Sequence, residues 1–328
     1  MADEREEPAS ESEKSEQERG SESGRPEEER ESEAGQSDEE SGSKRGQSDE
    51  KAESDEETES NSEQPEEAPE PHEMFARTRD EGERRLNRSK LDLTTTSLVA
   101  GFDIVFGVIA IATVTALCTP KLGPSLAHFV GSLFFGIAFI FIVVGRSELF
   151  TENFFVPITA LRRGRMRLLK LLELYTISPV MNILGGTLLI LLVTTKGVLP
   201  HGTPEALNEL ADHIDDLPLW SAFCSAIIGG ALITGMTWMV EGVGTVGGRI
   251  IIAWIAGTLL ALASLNHVIV VTLELIIGMR LGTTISLEDT AMNFVIAAAG
   301  NMIGGLLFVT VTRTSQAVGS GESDDPAA

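Results

Sequence analysis

The sequence has little of what most enzymes build their sites from. Cysteine occurs twice in 328 residues, at Cys118 and Cys224, both in or beside apolar runs. Two thiols exclude a disulfide framework, and they stand at no metal-ligand spacing, so both are expected to be buried and reduced. Histidine occurs five times and tyrosine once. No nucleophile–base pair and no cluster of His, Cys and Asp falls at usable spacing. The chain is therefore not expected to be an enzyme: no catalytic residue, no metal ligand and no cofactor are expected. Basic residues are also scarce, 25 Lys and Arg against 49 Asp and Glu, for a net charge of −24. The one strong charge block is acidic, which excludes nucleic acid as a partner. No leader with a basic start and an apolar run opens the sequence, so membrane insertion is expected to rely on the first span.

The acidity is concentrated. Residues 1–70 hold 28 Asp and Glu against 8 Lys and Arg, with almost no aliphatic or aromatic residue. Such a segment cannot bury enough apolar surface to offset chain entropy and is expected to be a disordered tail. Crude repeats run through it, Gly35-Gln36-Ser37-Asp38-Glu39 and Gly46-Gln47-Ser48-Asp49-Glu50. It reads as a solvating or spacing extension, or as a docking or phosphorylated arm, and no partner for it is identified.

Long apolar runs begin near residue 94. A bilayer span needs roughly 20 apolar residues. Six crossings are counted, at about 94–118, 126–161, 171–195, 219–240, 250–280 and 291–312. The second and fifth are interrupted by polar residues. One break reads Gly145-Arg146-Ser147-Glu148-Leu149-Phe150-Thr151-Glu152-Asn153 and the other Ala263-Ser264-Leu265-Asn266-His267-Val268. Glu148 and His267 lie 119 residues apart, and the same offset links Asn182-Ile183-Leu184-Gly185-Gly186 to Asn301-Met302-Ile303-Gly304-Gly305. Interrupted segments at equivalent places in two halves point to a transport site at the repeat interface. The expected fold is all-α and integral to the membrane, an inverted repeat of three plus three helices with broken second and fifth helices. A basic juxtamembrane segment, 71–93, precedes the transport domain, 94–315. A disordered tail, 316–328, follows it.

Charge sets the orientation. Arg84, Arg85, Arg88 and Lys90 precede the first span, and Arg162, Arg163, Arg165, Arg167 and Lys170 separate the second from the third. Arg249 lies between the fourth and fifth, and Arg313 follows the sixth. The 197–218 loop carries five acids and no Lys or Arg. The positive-inside rule then places both termini in the cytoplasm, and the expected location is the inner or plasma membrane of the cell.

Several residues are candidates for the path. Breaking a span frees backbone N–H and C=O groups, which lipid cannot satisfy. Asn182 and Asn301 are expected to tie those groups down, a structural role that shapes the pore. Half-helix amino termini carry partial positive charge and favour an anion or weak acid over a cation. His267 is the histidine set among apolar segments, and an ionisable group within a span is functional by default. An anion arriving beside it favours its protonated form. Glu148 is expected to support the broken second helix with the asparagines, and is read as pairing with Arg146. Glu274, inside an apolar half-helix, has to be paired or protonated, with Arg146 or Arg249 as candidate partners. His128 is expected at the interface, while His72, His201 and His213 lie outside the spans and read as incidental.

Glu148-Leu149-Phe150-Thr151-Glu152-Asn153, Asn266-His267 and Gly300-Asn301-Met302-Ile303-Gly304-Gly305 together resemble the formate/nitrite transporter family. The likeness covers residues of about 75–315 and is greatest to a poorly characterised inner-membrane branch with an acidic amino-terminal extension. The resemblance implies an aquaporin-like six-helix protomer assembled as a homopentamer in the lipid bilayer, each protomer with its own pore. It implies that Leu149-Phe150-Thr151 form the loop breaking the second helix, with His267 the central pore histidine and Thr151 within its reach. Apolar constrictions are expected on both sides, Phe135 matching an aromatic gate on one and Leu260 falling where an aromatic often sits on the other. Arg249 aligns with a residue commonly Lys, and Glu152 and Asn153 depart from the small residues of formate channels. The expected function is a proton-linked channel or transporter for small monovalent anions such as formate or nitrite. Its rivals are a neutral-solute or water pore on the same fold, and a membrane scaffold whose acidic tail is the working part.

Overall fold

The computed structural model describes residues 69–161 and 165–323, with side chains from 165 and 321–323 left aside. The acidic tail lies outside the described residues except for its last two positions. The elements, in order, are α1 (Pro71–Leu86), α2 (Lys90–Leu122), α3 (Pro124–Gly145), a 3₁₀ turn (Phe150–Phe154), α4 (Val156–Thr159), α5 (Arg165–Val193) and α6 (Thr203–Asp215). They continue with α7 (Leu219–Gly242), α8 (Val246–Leu262), α9 (Val268–Leu281), α10 (Leu287–Ile303), a π-helical stretch (Gly304–Val311) and α11 (Thr312–Ser323). Five helices are long and apolar enough to cross a membrane: α2, α3, α5 from Met166, α7 and the run Leu287–Ser320. The fifth crossing is divided between α8, 17 residues, and α9, 14 residues. Helix is what apolar runs must form in lipid, because only helix satisfies its backbone polar groups within one segment.

Two halves repeat one packing scheme. In the first, Gly101 of α2 backs onto the Asn182 carbonyl of α5, and Gly185 backs onto the Leu98 carbonyl. In the second, Gly230 of α7 backs onto the Asn301 carbonyl, and Gly304 onto the Ile227 carbonyl. A Cβ at any of the four would collide with that backbone, so these glycines let the first and third helices of each half touch. The middle helices α3 and α8 cross where Gly136 meets Trp254 and Gly257 meets Phe139 and Gly136. Three crossings per half, joined at this contact, make the 3+3 inverted repeat.

Four features differ from the sequence reading. Residues 197–218 are not all loop, because α6 buries Ala206, Leu207, Ala211 and Ile214 against α9 and α2. α1 is a helix seated on protein, with Gly82 against the Val156 carbonyl of α4. Residues 316–323, assigned to a tail, continue the last span as α11, whose Ala317 packs with Phe155, Trp238 and Met74. The fourth is the register of the breaks. Arg146 and Ser264, both non-glycine residues at positive φ, start the two breaks. After them Ser147 N–H donates to the Ile142 carbonyl and Leu265 N–H to the Leu260 carbonyl, each at 3.0 Å, the 6→1 bond of a Schellman stop. Equivalent break positions are thus 118 residues apart, not 119, and Glu148 corresponds to Asn266 while His267 corresponds to Leu149.

Candidate functional site

Each break is fastened by one asparagine. Asn301 Oδ1 accepts the Val268 N–H at 2.8 Å, and its Nδ2 donates to the carbonyls of Ala226 (2.6 Å) and Asn266 (2.9 Å). Asn182 Oδ1 accepts the Phe150 N–H at 3.0 Å, and its Nδ2 donates to the carbonyls of Ser97 (2.7 Å) and Glu148 (2.9 Å). One side chain thus satisfies three main-chain groups, two of them freed by the break, in a place where an unpaired one is expensive. Asn266 is engaged in the frame of its break: its N–H donates to Ser225 Oγ at 3.0 Å and its Nδ2 to the Ala222 carbonyl at 3.3 Å.

The two breaks meet at a buried pair. His267, at the amino-terminal cap of α9, holds Nε2 2.7 Å from Thr151 Oγ1 in the 3₁₀ turn, and both are fully buried. His267 Nδ1 accepts the Val270 N–H at 3.4 Å. A neutral ring in this position carries its proton on Nε2 and donates it to Thr151, which leaves the threonine hydroxyl free to donate onward. The Phe139 ring stands edge-on to the imidazole, 6.2 Å between centroids. Leu149 is buried and caps the 3₁₀ turn. Phe150 turns into an aromatic cluster with Phe154 and Tyr175, and the Tyr175 hydroxyl donates to the Asn153 carbonyl at 2.9 Å.

Cavities lie on either side of this pair. On the α1 side a space of 130 Å³ is lined by Arg84, Arg85, Arg88, Arg146 and Arg249 together with Glu81, Glu152 and Glu241. On the α6 side a space of 30 Å³ is lined by Phe135, Leu260, Val270, His213 and Glu274. It shares Leu210, His213 and Ser264 with an outer vestibule of 490 Å³. Phe135 and Leu260, expected on opposite sides of the site, therefore border one and the same cavity. The packing of α3 against α8 brings both residues to this one space.

Charge pairing also differs from the sequence reading. Glu148 pairs with Arg85 of α1 at 3.2 Å and with Arg88 in the link that follows α1. Arg85 also reaches Glu152 at 3.3 Å and Asn153 Oδ1 at 3.3 Å. Arg146 instead ends α3 in the left-handed conformation and points to the α1-side cavity. Neither Arg146 nor Arg249 meets Glu274, since both line the opposite cavity, and Arg249 Nε donates to the Val243 carbonyl at 3.1 Å. Burial alone would discharge Arg85, but the Glu148, Glu152 and Glu81 carboxylates outweigh it and hold the guanidinium charged. Burial likewise opposes the Glu81 carboxylate, yet Arg84 and Arg85 hold it below the usual carboxylate range. Sequence reasoning took Arg85 and Arg88 only as topology markers. Their shared partner in the break, Glu148, lies 63 and 60 residues away, and no local spacing reveals it.

The chain is similar to known proteins in sequence and fold. The family described as "Formate/nitrite transporter" matches residues 72–314. The inner membrane protein YfdC of Escherichia coli (strain K12) is 24% identical over 241 residues, covering 73% of this chain and 76% of the relative. A solved structure titled "FNT family ion channel" superposes with a TM-score of 0.66 at 18% identity, over 74% of this chain and 98% of the other. Another, "Pentameric formate channel with formate bound", gives 0.59 at 15% identity, over 68% and 95%. With its apolar helices, the match to an inner membrane protein makes this a multi-pass membrane protein. By the extent of the family match and the repeated breaks on which it falls, the chain belongs to the formate/nitrite transporter family.

Proposed function

We propose that the protein passes small monovalent anions of weak acids, such as formate and nitrite, across the membrane together with a proton. The observation that carries this reading is the buried Thr151–His267 bond at 2.7 Å, between cavities on either side. Family membership supports it, as does the fold shared with a formate channel. The protein acts as a homopentamer like that structural neighbour, each protomer with its own path. The basic α1 face lies in the cytoplasm with both termini, as the loop charges direct.

A bare anion is costly between apolar walls, whereas its neutral acid is not. In the proposed path the substrate shares a proton with His267 and passes the apolar neck of Phe135 and Leu260 as the neutral acid. Thr151 orients the imidazole and offers its hydroxyl to the passing oxygen. The permanent charges of Arg85 and Arg249 hold anions at the α1-side cavity. A neutral-solute pore is favoured by one observation, the Val270 N–H bond that requires His267 Nδ1 to be unprotonated. Flux against pH separates the readings, because neutral-solute passage does not follow pH.

The test is uptake of labelled formate and nitrite into proteoliposomes across a pH series, wild type beside His267→Ala. Wild-type uptake rises with acidity, and the variant loses about a hundredfold, the usual scale for a lost acid–base group. Unchanged proton-linked uptake by a correctly assembled variant would refute the role of His267.

A further inference from the structure

Glu274 is a buried ionisable side chain that this path leaves unused. It follows His267 by seven residues and Val270 by four on α9, which puts all three on one stripe of the helix. At the helical rise it stands about 10 Å from His267 toward the α6 face. It is 9% exposed, and among the described residues no hydrogen bond or ion pair engages its carboxyl. It lines the 30 Å³ cavity, whose other polar side chains are His213 and Ser264. His213 on α6 borders both this cavity and the vestibule, while Glu274 borders the inner space only.

The elements packed against α9 are α2, α5, α6 and α10. Only His213 among their titratable groups lines the small cavity: α2 supplies Ile111, α6 adds Leu210 and Ile214, and α5 and α10 supply nothing. No Lys or Arg lines either outer space, and the vestibule's remaining titratable groups are His128 and Glu209. A carboxylate in this neck would turn anions back. A carboxylic acid in the same place meets an anion as a hydrogen-bond donor.

We infer that Glu274 is the proton donor that neutralises the weak-acid anion before it reaches His267, and that His213 resupplies it from the vestibule. The inference rests on the weak-acid reading of the path. In the step, the Glu274 O–H bond breaks and an O–H bond forms on the anion's oxygen, whose lone pair takes the proton. The neutral acid moves inward past Phe135 and Leu260. The Glu274 carboxylate then takes a proton from the His213 imidazolium, which regains one from vestibule water in exchange with the medium. The cavities place His213 at the vestibule and Glu274 in the inner space, and α9 runs from Glu274 back to His267 at its amino-terminal cap, which gives the order His213, Glu274, His267.

The experiment is initial formate uptake by reconstituted full-length protein across a pH series, with wild type, Glu274→Gln and His213→Asn compared. Glutamine keeps the volume and a donor but has no proton to give. Uptake by Glu274→Gln falls about tenfold or more at neutral pH, and the gap narrows in acid, where free formic acid is already present. His213→Asn shows a smaller loss at neutral pH, restored by imidazole in the buffer, because the vestibule is open to small solutes. A Glu274→Gln profile parallel to that of the wild type, lowered or not, overturns the inference alone. So does a His213→Asn loss that imidazole leaves unchanged. A wild type that takes up neither formate nor nitrite overturns the weak-acid reading beneath it as well.

Discussion

The two breaks solve one backbone problem with different chemistry. Both open with a left-handed residue, both close a 6→1 bond, and both hand a freed N–H and a freed carbonyl to an asparagine. Position by position they then part. Where the second break has Asn266, His267 and Val270, the first has Glu148, Leu149 and Glu152. The second is neutral and leads into a 14-residue helix whose N-terminal dipole faces the site. The first leads into a five-residue 3₁₀ turn with little dipole of its own, and takes its order from Arg85 of α1 and Arg88 just after it. In the proposed path the second break therefore supplies the proton-handling group, and the first supplies the hydroxyl that orients it and the charges that anchor its own backbone.

The largest effect should come from unbalancing the charged break. Glu148 is 1% exposed and Arg88 6%, so neither carries its charge cheaply once alone. Arg88→Met leaves a buried carboxylate one partner short and should cost about 3–5 kcal/mol of stability, whereas Asn266→Ala in the neutral break should cost about 1 kcal/mol. Thermal unfolding of the detergent-solubilised protein measures both. Equal losses would mean that the α1 contacts are incidental to the fold.

Next come the asparagines, where the breaks are alike. Asn182→Ala and Asn301→Ala each strand the N–H and the carbonyl freed by the break, and each should cost about 3 kcal/mol. A loss at Asn301 far above that at Asn182, read by the same unfolding, would show that the ion pairs of the first break hold its backbone without the amide.

What the sequence disclosed follows from this division. The asparagines and the glycine pairs were legible because they recur in both halves as Asn-x-x-Gly-Gly, and a repeat needs no partner to be seen. His267 and Thr151 were legible as polar residues stranded in apolar runs, and their meeting came from the family resemblance. The Arg85–Glu148 and Arg88–Glu148 pairs were not legible, because a basic segment before a span already has a sufficient explanation in topology. The 118-residue register was hidden because Glu148 and His267 are both conspicuous, and matching them absorbs the one-residue difference. α6 was missed because its acids dominate composition, although Ala206, Leu207, Leu210, Ala211 and Ile214 lie at helical spacing. With α6 read as loop, His213 was passed over as well.

The smallest effect tests whether the shared geometry carries shared strain. Arg146 has φ 56° and Ser264 φ 48°, a region that costs a residue with a Cβ. Glycine adopts it freely, so Ser264→Gly and Arg146→Gly should each stabilise the fold by roughly 0.5–1 kcal/mol after the entropy that glycine loses. Ser264 is the cleaner test, because Arg146 also lines the charged cavity and its loss changes the field there. A gain at Ser264 alone would assign the Arg146 side chain a compensating attraction to Glu81, Glu152 or Glu241 across that space. A gain at both would leave strain as the common cost of ending a span in mid-membrane. A gain at neither would mean that the 6→1 bonds and the asparagines already offset that cost.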